Sequence, residues 1–132
     1  MKVIFSLSIS LILLSNCDRD PNKIYEAVLG EIPISVHVLN AQDQYVSDCC
    51  IWLHFEISKN DLRKIIVDFE EQEIKLWKWK SNNPPNMDWW KPDLMEGEIL
   101  YFERRSTDFE VTEGIYTNDK FNEVYYVNSA GF

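Results

Sequence analysis

The run over residues 49–57 constrains the fold most, because its apolar side chains alternate with a period of two residues. Successive side chains of a β-strand point to opposite faces, so this period predicts a strand. Its faces carry Cys49, Ile51, Leu53, Phe55 and Ile57 on one side and Cys50, Trp52, His54 and Glu56 on the other. The chain is therefore expected to contain a sheet.

An amphipathic helix is predicted directly after this strand. Ser58 is a suitable N-cap, and Asp61 occupies the third helical position. The apolar stripe then follows at helical spacing in Leu62, Ile65, Ile66 and Phe69. Residues 70–73 contain no Gly or Pro, so the end of the helix stays open. A strand over residues 73–80 is the favoured continuation, and a helix that runs on to Leu76 is the alternative.

Two predictions concern the segment before the main strand. Pro33 precedes a short alternating strand over residues 34–38, which places Ile34, Val36 and Val38 on one face. The polar residues 40–48 are predicted to form a loop. Residues 24–29 fit either a short helix or a strand.

The remaining elements complete the predicted fold. Downstream strands are expected at residues 98–104, 109–116 and 124–127, with a turn at 117–120 between the last two. The order of elements predicts an α+β fold, in which one main amphipathic helix packs on one face of a single antiparallel sheet. Residues 33–132 are expected to form this domain, and residues 17–32 a tether and a short N-terminal element.

Composition and charge exclude several classes of protein. The 132 residues suffice for one domain, and 45% hydrophobic residues with five Trp, six Tyr and seven Phe exclude intrinsic disorder. A net charge of −9 repels phosphate backbones, so no nucleic-acid partner is predicted. Four glycines leave no room for a Gly-rich phosphate loop.

The N-terminus has the features of a secretory signal. Lys2 precedes an apolar stretch of about 12 residues, inside the ~7–15 of a signal-peptide core. That stretch is well short of the ~20 residues that a transmembrane helix needs. A polar segment beginning at Asp18 follows at once. We therefore expect residues 1–16 to be a signal peptide.

The end of this segment resembles a bacterial lipobox, in the residues Leu14, Ser15, Asn16 and Cys17. Asn16 stands where the lipobox usually has Gly, Ala or Ser. The resemblance implies that Cys17 is acylated through its sulfur and anchors the protein to a membrane of the cell envelope. Two or three acyl chains anchor a protein stably in a bilayer, whereas a single chain does not. The alternative is an ordinary signal cut near Ser15, with Cys17 a free thiol. Asp18 resembles an inner-membrane retention signal in some bacteria and a surface-export signal in others, so the membrane and face stay open.

A Pro-rich segment with paired tryptophans is the most distinctive part of the body. Asp88, Trp89, Trp90 and Lys91 lie between Pro84-Pro85 and Pro92. Tryptophan is enriched in binding hot spots, so these four residues are the candidate partner-binding site. The alternative, which we favour, is a loop pinned to the sheet by its aromatic side chains.

Two adjacent cysteines do not by themselves indicate redox or metal chemistry. Neighbouring Cα atoms lie ~3.8 Å apart, below the ~4.4–6.8 Å of ordinary disulfides. We therefore expect Cys49 and Cys50 to be thiols on opposite faces of the strand, one of them in the core. An oxidising envelope leaves Cys50 a candidate for an intermolecular bridge.

No constellation for catalysis or metal binding is predicted. His37 and His54 are the only histidines, and a metal site shared with Asp48 or Glu56 is less expected than satisfied imidazoles. The patterns C-x-x-C, G-x-S-x-G and H-E-x-x-H are absent. We therefore predict no catalytic residue, no metal and no cofactor. Paired acids near the tryptophans give a weak glycosidase candidate in Asp88, Asp93, Glu96 and Glu98.

Over residues 33–127 the body resembles small uncharacterised bacterial envelope proteins. The matching residues are Asp48, Ser58, Asp61, Pro84, Pro85, Trp89, Trp90, Pro92, Tyr125 and Tyr126. The resemblance supports the fold and implies no known activity.

These observations favour a lipid-anchored envelope protein that acts as a non-catalytic binding or structural module. Its expected partners are the membrane and a protein. A periplasmic immunity protein that neutralises a basic toxin is the alternative, since charge complementarity speeds association. A small hydrolase is a third candidate, and it requires Asp88, Asp93, Glu96 and the Trp pair to surround a deep pocket.

Overall fold

The structure is a computed structural model that describes residues 20–43, 50–74, 87–106 and 111–130. The predicted signal peptide and lipidation site, residues 1–17, lie outside the described residues. The same is true of Asp48, Cys49 and the Pro84-Pro85 pair.

Within the described ranges, six strands form one antiparallel sheet. They are β1 (His37–Asp43), β2 (Cys50–Glu56), β3 (Glu70–Gln72), β4 (Ile99–Ser106), β5 (Val111–Asn118) and β6 (Glu123–Ala130). The order across the sheet is β1-β2-β6-β5-β4-β3, and every neighbouring pair is antiparallel. The predicted α+β class and the single antiparallel sheet are confirmed. The C-terminal strand β6 lies in the middle, between β2 and β5.

Helix α1 (Pro21–Leu29) settles the alternatives for residues 24–29. The carboxylate of Asp20 accepts a hydrogen bond from the backbone N–H of Asn22 at 3.0 Å, which caps the first turn. Ile24 and Tyr25 are buried in the domain core. The short N-terminal element is therefore a helix that belongs to the body of the domain.

Helix α2 (Lys59–Ile66) confirms the predicted N-cap, because the Ser58 hydroxyl accepts the backbone N–H of Asp61 at 3.3 Å. The backbone N–H of Phe69 donates to Ile66 at 2.9 Å, and this turn returns the Phe69 ring to the core. The predicted amphipathic helix is therefore present but shorter than its apolar stripe suggested, and in the described part of the chain α1 accompanies it on the same face. Neither of them, within the described ranges, has the length and apolar content that crossing a bilayer requires.

The continuation after α2 decides one of the two alternatives. The helix ends at Ile66, so the prediction of a helix to Leu76 is wrong. Most of the predicted strand over residues 73–80 lies outside the described residues, so that strand stays a prediction. The strand observed directly after the helix is the short β3, which was not predicted. Its pairing with β4 gives the physical reason, since backbone hydrogen bonds form a strand there without apolar side chains. Residues 75–80 lie outside the described residues.

The first part of the predicted strand over residues 34–38 is also corrected. The backbone N–H of Val36 donates to the carbonyl of Pro33 at 3.0 Å, which closes a turn and leaves Ile34 fully exposed. Val36 and Val38 still pack against the core. β1 begins only after this turn and continues through Asp43, so the first part of the predicted loop 40–48 is strand. An edge strand needs only one hydrogen-bonded neighbour, which explains its polar sequence.

Each face of the sheet carries its own core. The first-face core packs both helices against the sheet and comprises Ile24, Tyr25, Leu53, Phe55, Ile57, Leu62, Phe69, Phe102, Ile115, Val124 and Tyr126. The second-face core packs part of the segment 87–95 on the sheet and comprises Cys50, Trp52, Trp90, Met95, Tyr101, Tyr116, Tyr125 and Val127. The alternation of β2 therefore supplies both cores, from opposite faces of one strand.

Candidate functional site

An open pocket of about 590 Å³ lies at the end of the sheet where β2 and β5 finish and β6 begins. Its walls come from residues 56–58, 94–96 and 118–123, together with Ser35. We call it the end pocket. The described chain thus brings four separate stretches to one opening.

The β5–β6 hairpin forms one wall of the end pocket. The side-chain oxygen of Asn118 accepts the backbone N–H groups of Asn122 and Glu123, at 3.1 and 3.3 Å. Phe121 takes a left-handed backbone conformation with φ 58°. The turn predicted at residues 117–120 therefore lies two residues later, because Thr117 and Asn118 still pair within the sheet and their side chains close the turn.

Three carboxylates, Glu56, Glu96 and Glu123, line the end pocket. Lys120 is the only basic residue among its described lining residues. Glu56 and Glu96 are exposed, and neither forms an ion pair within the part of the chain that the structure describes. The excess of negative charge makes the pocket suited to a cationic group.

Two of these carboxylates are direct cross-strand partners. Glu56 at the end of β2 stands opposite Glu123 at the start of β6. Side chains at directly opposite positions share a face, with Cβ atoms ~4.5–5.5 Å apart, and like charges there are destabilising. His37 of β1 stands opposite Glu56 on its other side, and its side chain is exposed.

His54 holds one of the two carboxylates in place. Its Nε2 lies 2.7 Å from Oε2 of Glu123, and its Nδ1 lies 3.3 Å from the amide nitrogen of Asn40. The ring also stacks on Tyr125, with centroids 4.0 Å apart. Both ring nitrogens are thus engaged, the satisfied imidazole that the sequence favoured. Among the described residues no three His, Cys, Asp or Glu side chains are grouped to hold a metal ion.

The phenol of Tyr125 lies in a negative environment near the same site. Burial raises its pKa to about 12, and the charges of Glu123 and Asp93 add to this effect. Asp93 follows Pro92 on the segment that covers the second face of the sheet. The charges of Glu123 on β6 and of Asp93 on this segment thus act on the same phenol.

A serine-carboxylate network fixes the opposite wall. The Ser35 hydroxyl donates to Asp61 at 2.5 Å and accepts the backbone N–H of Ser58 at 3.1 Å. These bonds hold the turn at Ser35 against the start of α2. The Ser35 hydrogen bond is the main cause that lowers the pKa of Asp61, with further contributions from Ser58 and the nearby Lys64. The hydroxyls of this wall are therefore occupied in structural bonds.

The paired tryptophans have different environments. Trp90 is buried and packs edge-on against Tyr125 and Tyr116, at centroid distances of 5.4 and 6.3 Å. Trp89 is partly buried and meets Trp90 edge-on at 6.0 Å. Asp88 and Lys91 are exposed beside them. The indole of Trp90 thus pins the loop to the sheet, and the other three candidate residues retain accessible surface.

Of the acids considered for a glycosidase pair, only Glu96 lines the end pocket. Asp88, Asp93 and Glu98 are exposed elsewhere on or beside the same segment. Sequence reasoning missed Glu56 and Glu123 as site residues, because their pairing depends on the register of β2 and β6. The positions of Glu56 at a predicted strand end and Glu123 before another were the only signal.

Cys50 corrects the expectation of a free core thiol. It is buried in the second-face core, as one of the two thiols was expected to be, but it is disulfide-bonded. The chain contains two other cysteines, Cys17 and Cys49, and both lie outside the described residues. The expectation rested on the spacing of Cys49 and Cys50 alone, which does not determine the oxidation state of a buried thiol.

Comparison with known proteins adds no relative to this description. No protein family, curated protein or solved structure matches the chain.

Proposed function

We propose that the protein is a lipid-anchored, non-catalytic binding module of the bacterial cell envelope. The end pocket carries this proposal, because it is an open, carboxylate-rich concavity with fixed walls. The lipobox-like residues Leu14 to Cys17 support the anchor. Acyl chains on Cys17 would hold the domain near the membrane through the short segment before α1.

The described residues around the pocket favour binding over chemistry. Ser35 and Ser58 are tied into the Asp61 network, and both ring nitrogens of His54 are occupied. A nucleophile needs an adjacent base that can accept its proton. The hydroxyls and the imidazole here serve as structural supports for the pocket walls.

The proposed binding surface extends from the end pocket along the segment 87–96. Leu94, Met95 and Glu96 line the pocket, and Asp88, Trp89 and Lys91 precede them on the same segment. Trp90 is assigned the role of anchoring this segment. A protein partner that enters the pocket would then meet a segment whose position is set by a buried indole.

Site-specific photo-crosslinking in the source cells tests the binding role. A benzophenone amino acid replaces Leu94, which is 68% exposed at the pocket, in the full chain. The matched control replaces Val67, which is 74% exposed and does not line the pocket. One defined protein cross-linked from position 94 and absent from position 67 is the expected result. No specific product from position 94 would contradict the proposal.

The anchor is tested separately. Metabolic labelling with a clickable palmitate should label the wild-type chain and not Cys17→Ser, and only the wild type should stay with the membranes after a carbonate wash. Labelling that survives Cys17→Ser would place the lipid elsewhere or remove this part of the proposal.

A periplasmic immunity protein is the second candidate. The observation that favours it is the acidity of the end pocket together with the net charge of −9, which suit a basic toxin. Deletion should then make cells sensitive to killing by neighbours that release the toxin. Unchanged survival of the deletion strain in mixed culture would argue against this candidate.

A further inference from the structure

We infer that the end pocket binds a basic, amphipathic segment of a partner protein, with a Lys or Arg side chain seated among Glu56, Glu96 and Glu123. This inference rests on the proposed binding function and specifies its partner. The surface is a concavity with both charge and apolar features, and each feature restricts the occupant.

The first restriction is charge. Glu56 and Glu123 stand directly opposite each other, and only Glu123 has a described partner, His54. Glu96 adds a third carboxylate from the facing segment. A cation placed among them relieves the repulsion of the cross-strand pair as well as gaining its own attraction. The end pocket therefore favours a guanidinium or ammonium group.

The second restriction is the apolar rim. Leu94 lines the pocket with its side chain 68% exposed, and the fully exposed Ile34 directly precedes the lining residue Ser35. These are two of the four large apolar side chains that are exposed in the described part of the chain. A bare metal ion or polyamine makes no use of such a rim. A peptide with apolar residues next to its basic residue covers the rim and neutralises the pocket together.

Lys120 provides an internal check on the inference. It is the only cation among the described lining residues, and it lies on the hairpin wall of the pocket. Its charge opposes the entry of a second cation. Lys120→Gln should therefore tighten the binding of a basic probe, whereas loss of the glutamates should weaken it.

The test uses the full chain in a neutral detergent and a tripeptide probe, N-acetyl-Leu-Arg-Leu-amide. The control probe replaces Arg by citrulline, a neutral isostere. Binding is followed by ¹H–¹⁵N NMR at low salt. We expect a dissociation constant on the order of millimolar for the Arg probe, with shifts centred on Glu56, Leu94 and Glu96, and weaker binding as salt is added.

Paired variants separate the pocket from the general acidity of the chain. Glu56→Gln with Glu96→Gln should weaken the Arg probe about fivefold, the sum of two exposed ion pairs. Glu71→Gln with Glu73→Gln removes the same charge from exposed positions outside the pocket and should leave the affinity unchanged. Leu94→Ser should weaken the tripeptide and leave the binding of spermidine unchanged.

Equal binding of the citrulline probe, equal losses in the two double variants, or shifts centred away from the pocket would each overturn the inference. Spermidine binding as tight as the tripeptide would overturn the assignment to a protein segment. The measurement in detergent does not depend on whether Cys17 carries lipid, and the crosslink at position 94 reports any partner, basic or not. Failure of this inference is thus distinguishable from failure of the proposed function.

Discussion

His54 on β2 and Glu123 on β6 are joined by a 2.7 Å contact between Nε2 and Oε2, although 69 positions separate them in the chain. The amide nitrogen of Asn40 faces the other ring nitrogen, Nδ1, and an amide nitrogen can only donate. Nδ1 therefore accepts, and Nε2 carries the proton that is donated to Glu123. Both ring nitrogens of His54 thus have a hydrogen-bond partner at the edge of the end pocket.

Removing the acceptor should destabilise the domain. Glu123→Ala leaves the N–H of the buried His54 without a partner, which costs about 1–3 kcal/mol. Relief of the repulsion from Glu56 returns only about 0.2–1 kcal/mol, so a net loss of about 1 kcal/mol in the free energy of unfolding is expected. Urea unfolding followed by tryptophan fluorescence measures this loss.

The Glu123→Gln variant keeps a hydrogen-bond acceptor for His54 and should lose less stability than Glu123→Ala. The exposed Glu98→Ala serves as the control and should stay within about 0.5 kcal/mol of the wild type. Equal losses in Glu123→Ala and Glu98→Ala would contradict the role of this bond.

The two tryptophans should differ in their contribution to stability. Trp90→Ala removes a buried indole from the second-face core and should lower the free energy of unfolding by about 3–5 kcal/mol. Trp89 is only partly buried, so Trp89→Ala should lower it clearly less. Trp90→Phe should be milder than Trp90→Ala, because Phe keeps a buried aromatic ring and the indole N–H has no hydrogen-bond partner among the described residues. Chemical denaturation with near-ultraviolet circular dichroism checks the order. A Trp89→Ala variant as unstable as Trp90→Ala would show that both indoles anchor the loop.

Gly114 is expected to resist substitution, although alanine normally stabilises a strand over glycine by about 0.5–1 kcal/mol. An added Cβ would stand 2.9 Å from the Tyr101 ring and hydroxyl, inside ordinary contact distance. That ring stacks on Tyr116 and donates to Glu103, so it cannot move without loss. Gly114→Ala should cost about 1–3 kcal/mol. In a double-mutant cycle, the same change made in a Tyr101→Ala background should cost little. A cost that is independent of Tyr101 would place its origin elsewhere.

Asp61 should make stability depend on pH in the acid range. The hydroxyl of Ser35 donates to the carboxylate and is the largest cause that lowers its pKa below 3.8. A carboxyl whose pKa is lower in the folded state adds stability above its unfolded pKa and loses it as the pH falls through the folded pKa. The difference in unfolding free energy between the wild type and Asp61→Asn should therefore be constant above about pH 5 and shrink below 3.8. Urea unfolding at a series of pH values measures this difference. A difference that persists unchanged in acid would contradict the assignment.

The disulfide at Cys50 and the proposed lipid on Cys17 together predict how many free thiols the protein contains. A sulfur that carries a diacylglyceryl thioether is not available for a disulfide. In a lipidated monomer the partner of Cys50 would therefore be Cys49, although neighbouring cysteines are closer than those of ordinary disulfides. Membrane-extracted protein should then show no free thiol to a maleimide before reduction and two after it, counted by mass spectrometry. Cys17→Ser should give the same two counts. A cross-linked peptide that joins residues 17 and 50 would exclude lipidation of that molecule.

Features that depend on a few neighbouring residues could be predicted from the sequence. The period of two in β2 and the Ser58 cap of α2 were predicted correctly, because strand alternation and helix capping are local interactions. The end of α2 was not predictable in this way. No glycine or proline stops it, and the turn after Ile66 forms because Phe69 finds its place in the first-face core.

The candidate site likewise has a part that the sequence indicated and a part that it did not. The sequence drew attention to the Trp89-Trp90 loop, and the contacts of that loop made Trp90 a core residue. The grouping of carboxylates in the end pocket could not be predicted from the sequence. Only the register of β2 against β6 places Glu56 opposite Glu123.

By itself, the sequence determined the α+β class, a strand within residues 49–57, the start of α2 and the excess of negative charge. Tertiary structure alone decided that the polar β1 is a strand, that β6 enters between β2 and β5, and that three glutamates share one pocket. The physical reason is the range of the interactions. Side-chain periodicity and capping are specified within a turn or a strand, whereas strand order and register arise when distant segments compete to pair their backbones and bury both faces of one sheet.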